Sequence, residues 1–186
     1  LKAALIIAPK GVYDNWLQAE IPTHLPQRVP YKVCRWTPSK TKKFEEELTG
    51  FIVDQEPRLK VFVMNVEAFS TSRGSVSATA FLYQNPDNIV VVDESTTIMS
   101  LQKRAKYRRI LTGSPITRSP MDFFSQCGFL DHKALGFNSF YAFQARYATV
   151  QQRIVGPRSF RQITGYRRLD ELSEKLDAFS NRILKT

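Results

Sequence analysis

Four short apolar runs restrict the fold of this chain more than any other feature of its sequence. They are nearly continuous in hydrophobicity and cover residues 4–8, 61–64, 89–92 and 109–112. Strands that are buried on both faces of a parallel sheet have this unbroken pattern, whereas half-exposed strands alternate. A fifth run, residues 31–36, alternates more and is therefore expected nearer an edge of the sheet.

Segments with helical spacing lie between these runs. From Thr41 to Ile52, apolar residues recur at steps of three and four with charged residues between them, which is typical of an amphipathic crossover helix. Strands that alternate with helices predict an α/β fold, an open parallel β-sheet with helices on both faces. In such sheets ligands bind at the carboxyl ends of the strands.

The pattern changes after Gly113. An aromatic-rich stretch from Phe123 to Tyr147 is expected to pack helices together, and residues 150–168, with five arginines, two glycines and a proline, predict a basic loop or protrusion with little core. Leu172, Leu176, Phe179 and Ile183 then predict a docking helix over 169–184. The whole chain, 1–186, is predicted to be a single lobe with a basic insertion at 150–168.

The composition favours a phosphate-bearing partner and excludes several classes of protein. Lys and Arg exceed Asp and Glu by 27 to 17, which gives a net charge of +10 and suits a surface that contacts nucleic acid. No apolar run is long enough to predict a membrane span. The two cysteines, Cys34 and Cys127, have no zinc-binding spacing and predict a reducing compartment, the cytoplasm of a bacterial or viral host or a nucleus.

The strongest indication of chemistry is a pair of acids, Asp93 and Glu94, directly after the apolar run 89–92. Two carboxylates at a buried strand end are costly unless a cation or a reacting water uses them. In a nucleotide hydrolase the first holds Mg²⁺, usually through its waters, and the second orients or deprotonates the attacking water. The structural alternative is that Asp93 caps a following helix and Glu94 is solvated.

Several motifs together resemble superfamily 2 helicases of the Swi/Snf type, in the first of their two RecA-like lobes. The sequence Asp93-Glu94-Ser95-Thr96 resembles their Walker B (DExx) motif, and 111–116 resembles motif III, with Ser114 where the family usually has threonine. Residues 5–10 with Trp16 resemble motif Ia, 63–69 the Ib region, 119–130 the segment after motif III, and 182–185 the end of the lobe. The resemblance covers essentially the whole chain.

The resemblance implies an ATP-dependent DNA helicase or translocase, a hydrolase that couples ATP hydrolysis to movement on DNA. ATP and Mg²⁺ are the implied cofactors; DNA, bound mainly through phosphates, and a second RecA-like lobe are the implied partners. The resemblance assigns Asp93 to Mg²⁺, and both Asp93 and Glu94 to the nucleotide and to catalysis. Thr112, Gly113 and Ser114 are assigned to coupling, and Pro9, Lys10, Gly11 and Asn65 to DNA.

Two parts of such a motor are expected to lie outside this sequence. No G-x-x-x-x-G-K-[ST] loop occurs in it, and that loop normally cradles the nucleotide phosphates. The second lobe, which supplies an arginine finger in the family, is also expected elsewhere, so we expect the chain alone to be inactive. The interval from Asp93 to Thr112 is shorter than in the family, which suggests a missing loop near residues 100–101.

Two alternatives stay open on the sequence alone. One is a non-catalytic, basic nucleic-acid-binding α/β domain in which the Asp93-Glu94 pair is structural. The other, weaker one is a metal-dependent nuclease, for which no third carboxylate or histidine follows a matching strand.

Overall fold

The computed structural model describes residues 1–93, 101–113, 116 and 119–181 of the chain. The chain separates into two compact units, Leu1–Pro115 and Ile116–Thr186. That these units together form one lobe stays a prediction. The proposed missing loop borders on residue 100, which lies outside the described residues, as do the motif residues 182–185.

The first unit is built on a five-stranded sheet in which every pair of neighbouring strands is parallel, in the order β2-β3-β1-β4-β5. The strands are β1 (Ala3–Ala8), β2 (Tyr31–Arg35), β3 (Leu59–Asn65), β4 (Asn88–Asp93) and β5 (Tyr107–Leu111). All five correspond to the apolar runs of the sequence, and the predicted edge position of β2 is confirmed.

Helices cover both faces of this sheet, as predicted. One face carries Leu5 and Phe62, which pair in register. Phe62 packs against Phe51 and Phe81, with ring centroids 6.0 and 5.2 Å away. The opposite face packs against a helical segment after β1. The α/β class and the open parallel sheet with helices on both faces are thus confirmed.

The helices of the first unit lie in the connections between strands. The segment after β1 consists of α1 (Tyr13–Asn15), a π-helical turn (Trp16–Glu20) and α2 (Ile21–His24), followed later by α3 (Lys42–Val53), α4 (Val66–Phe69) and α5 (Ser72–Gln84). The predicted crossover helix 41–52 is therefore confirmed as α3. Its N-cap is Thr41, whose hydroxyl accepts a hydrogen bond from the Phe44 N–H, as an N-cap threonine should.

Strand β5 departs from the prediction that its run is buried on both faces. Tyr107, Arg109 and Leu111 are exposed, and only Arg108 and Ile110, on the other face, are half-buried. The reason is its position: β5 pairs with β4 on one side, and no strand among the described residues pairs with its other side. The short apolar run 109–112 does not distinguish such an edge strand from a central one.

The carboxyl end of α3 is held by two buried polar groups. Lys60 on β3 is only 3% exposed, and its ammonium group donates to the carbonyls of Ile52 and Asp54 at 3.0 and 2.6 Å. The Asp54 carboxylate accepts from the Arg58 guanidinium at 2.7 Å and from the Lys32 ammonium at 3.2 Å. The Arg58 hydrogen bond holds the pKa of Asp54 well below its usual range.

This cluster predicts an acid-sensitive contribution to stability. Because the pKa of Asp54 is lower in the folded chain than in the unfolded chain, its contribution is present above the unfolded pKa of about 4 and is lost as pH falls through the folded value. We expect Asp54→Asn to be less stable than the wild type at pH 7 and the difference to shrink below about pH 4. Urea unfolding at pH 7 and pH 3 measures this, and a difference that does not depend on pH would contradict it.

A close backbone contact joins α4 to α5 at Gly74. A Cβ atom on Gly74 would lie 2.0 Å from the Ala68 carbonyl oxygen and 2.7 Å from its carbon. Such an overlap with backbone cannot be relieved by rotating a side chain. The Gly74 N–H also donates to the Thr71 hydroxyl at 3.0 Å, the N-cap contact of α5.

We therefore expect Gly74→Ala to lower the free energy of unfolding by about 1–3 kcal/mol, although alanine is the better helix former. Gly50→Ala in α3 is the matched control, because nothing lies within 4 Å of its added Cβ. That control should stabilise the chain by roughly 0.5–1 kcal/mol. Thermal unfolding of both variants is the measurement. Equal shifts of the unfolding temperature in the same direction would refute the close contact between Gly74 and the Ala68 carbonyl.

The described residues of the second unit form three helices and a two-stranded sheet. Its elements are α6 (Asp122–Leu130), α7 (Phe140–Tyr147), β6 (Ala148–Val155), β7 (Arg158–Tyr166) and α8 (Leu169–Asp177). The predicted packing role of the aromatic stretch is confirmed: Phe143 lies against Tyr147, Phe137 and Phe124 at centroid distances of 4.9–5.5 Å. Burial raises the pKa of Tyr147 to about 12, and its hydroxyl donates to the Glu171 carboxylate at 2.9 Å.

Two predictions for this unit are corrected. Of the two forms predicted for the basic segment 150–168, the loop is wrong, because most of the segment forms the antiparallel hairpin β6–β7; the exposure of residues 151–162 agrees with a protrusion that has little core. The predicted helix 169–184 ends at Asp177, and Phe179 is exposed, while Ile183 lies outside the described residues. Leu172 is buried and Leu176 partly buried, so the first half of the predicted docking face is confirmed.

Cys127 is buried and Cys34 half-buried, and both thiols are free; His24 and His132 are exposed. In the described ranges, no helix has the length and apolar character needed to cross a bilayer.

Candidate functional site

The strand register brings four of the predicted site segments to one edge of the sheet. Asn65 ends β3 opposite Ala8, which ends β1. Asp93 ends β4 opposite Leu111, which ends β5, and Ile7 of β1 is opposite Val92 of β4. Neighbouring strands lie about 4.8 Å apart, so Asn65, the turn after Ala8, Asp93 and the segment after Leu111 follow one another along about 15 Å of this edge.

The connections after β1 and β3 leave this edge toward opposite faces of the sheet. The helical segment after β1 packs on the face of Ile6 and Val63, whereas α5, after β3, contributes Phe81 to the face of Phe62. Adjacent parallel strands whose connections diverge in this way leave a crevice at their carboxyl ends, the usual ligand position in open α/β sheets. For β1 and β3 this position is the stretch of the sheet edge between the turn 9–11 and Asn65.

Asp93 is held by a long-range hydrogen bond that sequence reasoning missed. The indole Nε1–H of Trp16 donates to the Asp93 Oδ2 at 2.9 Å, across 77 positions of the sequence. Trp16 opens the π-helical turn that follows α1, and π-helical turns are frequent at functional sites. Asp93 is half-buried, so its carboxylate is oriented by the indole and still reaches solvent, as a carboxylate that binds Mg²⁺ through water must.

The turn after β1 places Pro9, Lys10 and Gly11 beside this carboxylate. The Pro9 carbonyl accepts hydrogen bonds from the N–H groups of Val12 and Tyr13 at 2.9 and 3.0 Å, which closes the turn and starts α1. Lys10 and Gly11 are exposed, and nothing lies within 4 Å of the position of a Cβ on Gly11. Backbone and cation at this turn are therefore accessible to a phosphate.

Asn65 has a structural task in addition to the predicted one. Its Oδ1 accepts from the Ala68 N–H at 2.6 Å, so it is the N-cap of α4, and Glu67 lies in the first turn of that helix. This agrees with the expected strand that leads into a helix containing a glutamate. A contact between Asn65 and DNA stays a prediction and would use the amide nitrogen, since Oδ1 is the cap acceptor.

Thr112 and Gly113 are exposed and follow β5 directly, next to the end of β4. Glu94 and Ser114 lie outside the described residues, so their predicted roles in orienting water and in coupling stay predictions. Within the described part of the chain, no three His, Cys, Asp or Glu side chains come together in a way that could hold a metal ion.

A further cation lies at this edge that sequence reasoning did not identify. Arg35 ends β2, its guanidinium lies 2.8 Å from the Asp14 carboxylate, and it also donates to the Tyr13 hydroxyl. The guanidinium carbon is 4.7 Å from the centroid of the Tyr13 ring. The only signal in the sequence is that an arginine follows an alternating strand, which does not predict a partner 22 residues earlier.

Comparisons with known proteins give matches among solved structures alone. No family model matches the chain, and no curated protein matches it. A solved structure that it resembles is the SWI2/SNF2 ATPase core domain of Sulfolobus solfataricus, at 22% identity and a TM-score of 0.44. The match covers 79% of this chain and 28% of the other. A likeness of this size does not establish a family for the chain.

Proposed function

We propose that this chain is the first RecA-like lobe of an ATP-driven DNA translocase of the Swi/Snf type. The observation that carries the proposal is the Trp16–Asp93 hydrogen bond. It joins the strand-end carboxylate that would serve the nucleotide to the helical segment that begins at the turn of Pro9–Gly11, which would contact DNA.

This bond supports a route from nucleotide to DNA. Asp93 would bind Mg²⁺ through water, and bound Mg²⁺ would neutralise charge on the ATP phosphates. A change in the position of Asp93 would alter the acceptor of the Trp16 N–H. Because Trp16 follows α1 without a break, the change would reach the turn at Lys10 through one continuous helical segment.

The remaining parts of the proposed site come from the sequence. Glu94 would orient or deprotonate the attacking water, and the hydroxyls of Thr112 and Ser114 on either side of Gly113 would respond to the state of the phosphates. The 186 residues contain no phosphate-binding loop motif, so in the proposed motor that loop and the arginine finger would come from other residues. The chain alone should accordingly bind ATP weakly and not hydrolyse it.

The test compares ATP hydrolysis by the full product of the gene with hydrolysis by the 186-residue chain. At one fixed salt concentration, each is assayed without DNA, with duplex DNA and with single-stranded DNA, because DNA affinity depends strongly on salt. We expect turnover stimulated by duplex DNA in the full product and none in the chain alone. Full product that binds DNA without hydrolysing ATP would favour the non-catalytic binding domain, and rapid turnover by the chain alone would refute the assignment of missing parts.

The Asn65→Asp variant tests whether Asn65 contacts DNA in addition to capping α4. Asn65→Asp keeps an oxygen acceptor for the Ala68 N–H and adds a negative charge at a helix N-terminus, which is favourable there. We therefore expect unchanged stability but about tenfold weaker duplex binding by the chain at 0.1 M salt, measured by fluorescence anisotropy. Asn138→Asp, an exposed change of the same charge in the second unit, should leave binding nearly unchanged. Equal losses in both variants would mean that Asn65 only caps α4.

A further inference from the structure

The hairpin β6–β7 has a composition unlike that of the rest of the surface. From Ala148 to Arg168 the sequence contains no Asp or Glu, and it contains five arginines: Arg153, Arg158, Arg161, Arg167 and Arg168. Every residue from 151 to 162 is exposed. In the described part of the chain, no carboxylate forms a salt bridge with any of these five arginines. The projecting part of the hairpin therefore presents positive charge that the described chain does not neutralise.

The base of the hairpin is anchored and its tip is apolar. Val150 and Ile163, which are opposite one another, pack against the core of the second unit. At the other end, Ile154 is 74% exposed and Val155 is 66% exposed. A two-residue turn, Gly156-Pro157, joins the strands, and Gly156 has φ +59°, which two-residue hairpin turns favour. The result is a short, fixed ribbon with an apolar end in solvent.

The register distributes the arginines over both faces of the ribbon. Opposite residues of an antiparallel pair share a face, and faces alternate along each strand. Arg153 pairs with Phe160 and Val155 with Arg158, which puts both arginines on one face. Arg161 pairs with Gln152 on the other face. A single nucleic-acid strand that lay along one face of the ribbon would contact only the arginines of that face. A groove has a phosphate backbone on either side, so its phosphates would contact the arginines of both faces.

The dimensions select the groove. A sheet with side chains on both faces is about 10 Å thick, which fits the major groove of B-DNA at about 12 Å and is too wide for the minor groove at about 6 Å. Arg153 lies three residues from Gly156 and Arg161 four residues from Pro157, or about 10 and 14 Å along the strands. The major groove is about 8.5 Å deep, so both arginines lie just above the floor-to-rim depth of the groove, at the level of the phosphates, when the turn reaches the base edges.

We propose that the β6–β7 hairpin binds duplex DNA by entering the major groove tip first, with Arg153 and Arg161 on the two flanking phosphate backbones and Ile154 and Val155 against the base edges. Arg158, near the tip, lies on the same face as Arg153. The apolar contacts would recognise thymine methyl groups at most, so binding is largely independent of sequence. This proposal shares its partner with the proposed translocase but uses a different element from the edge at Asp93.

The test measures duplex binding without nucleotide, so it does not depend on ATP hydrolysis. The 186-residue chain is titrated against a 20-base-pair labelled duplex over a range of salt concentrations. We expect the Arg153→Gln, Arg161→Gln double variant to bind about 10- to 100-fold more weakly at 0.1 M salt and to lower the slope of log K against log salt by about 1.8. Ile154→Ser with Val155→Ser should weaken binding and leave that slope unchanged.

Two further variants give the controls. Lys42→Gln with Lys43→Gln removes the same charge from exposed positions on α3, where the side chains are 91% and 86% exposed, and should change affinity by less than about threefold. Arg153→Lys with Arg161→Lys keeps both charges and should keep the salt slope. Circular dichroism of all variants should be unchanged, because the altered side chains are exposed.

Three results would overturn the proposal. If the Lys42→Gln, Lys43→Gln variant lost as much duplex affinity as the arginine variant, the loss would be explained by net charge alone. If single-stranded DNA bound as tightly as the duplex at the same salt, the hairpin would bind a strand along one face and would not enter a groove. Equal binding to double-stranded RNA, whose major groove is too narrow for protein side chains to read, would exclude major-groove entry.

Discussion

The Glu94→Gln variant of the full gene product is expected to lose DNA-stimulated ATP hydrolysis by about 10²- to 10⁴-fold, the range for removal of a positioned general base. The amide has nearly the same size and can still hydrogen-bond, but it cannot accept a proton from water. Binding of ATP should persist, because the phosphate contacts are made elsewhere. Steady-state phosphate release and filter binding of ATP, measured on the same preparation, separate the two effects.

Asp93→Asn serves as the partner experiment, because the two acids have different proposed tasks. Loss of the charged oxygen should raise the Mg²⁺ concentration needed for half-maximal activity. In the 186-residue chain, Asp93→Asn should also change the emission of Trp16, whose N–H loses a charged acceptor. Trp36→Phe makes Trp16 the sole reporter there, since the chain has two tryptophans. Glu46→Gln, on an exposed side chain of α3, is the control. Full activity in both acid-to-amide variants at 93 and 94 would exclude the proposed catalytic roles of Asp93 and Glu94.

Phe81→Ala is expected to have the largest effect on stability. Phe81 is fully buried, stacks on Phe51 at 5.7 Å between centroids with a 4° angle between rings, and lies 5.2 Å from Phe62. Its truncation leaves a cavity between α3, α5 and the sheet that these rings cannot fill. We expect a loss of about 3–5 kcal/mol, a large part of the roughly 5–15 kcal/mol that stabilises a typical domain.

Tyr83→Ala on the same helix is the matched control for this prediction. Its side chain is 78% exposed, so removing it should change stability by less than about 0.5 kcal/mol. Urea unfolding followed by circular dichroism reports both changes. A loss below about 1 kcal/mol for Phe81→Ala would mean that the aromatic cluster repacks around the gap.

The central strands could be predicted because a strand that is buried on both faces is a continuous run of apolar residues in the sequence. β1 and β3 are buried along nearly their whole length, and the approximate position of each strand follows from that run. β5 could not be distinguished in the same way, because its apolar residues are few and its exposure depends on which strand lies beside it. The strands of the hairpin were not predicted, because both faces of its projecting part are in solvent, where alternation of polar and apolar residues is not required.

Contacts between distant segments account for what the sequence could not predict at the site. The carboxylate at Asp93 was predicted, since acids that end an apolar run are visible in a single segment. Its donor, Trp16, depends on how the helical segment after β1 packs on the sheet. The requirement for glycine at Gly74 likewise arises from the approach of the Ala68 carbonyl, and nothing in the helical pattern of α5 indicates it.

No strand among the described residues pairs with the outer side of β5, which has a consequence for handling the isolated chain. Unpaired strand edges act as templates for intermolecular β-pairing, and Tyr107 and Leu111 add exposed apolar surface. Arg108 and Arg109 lie in the middle of the same strand, where like charges on two copies would repel, as gatekeeper residues do in natural edge strands. High salt would screen that repulsion, so the 186-residue chain should stay monomeric at low ionic strength and begin to aggregate as salt is raised.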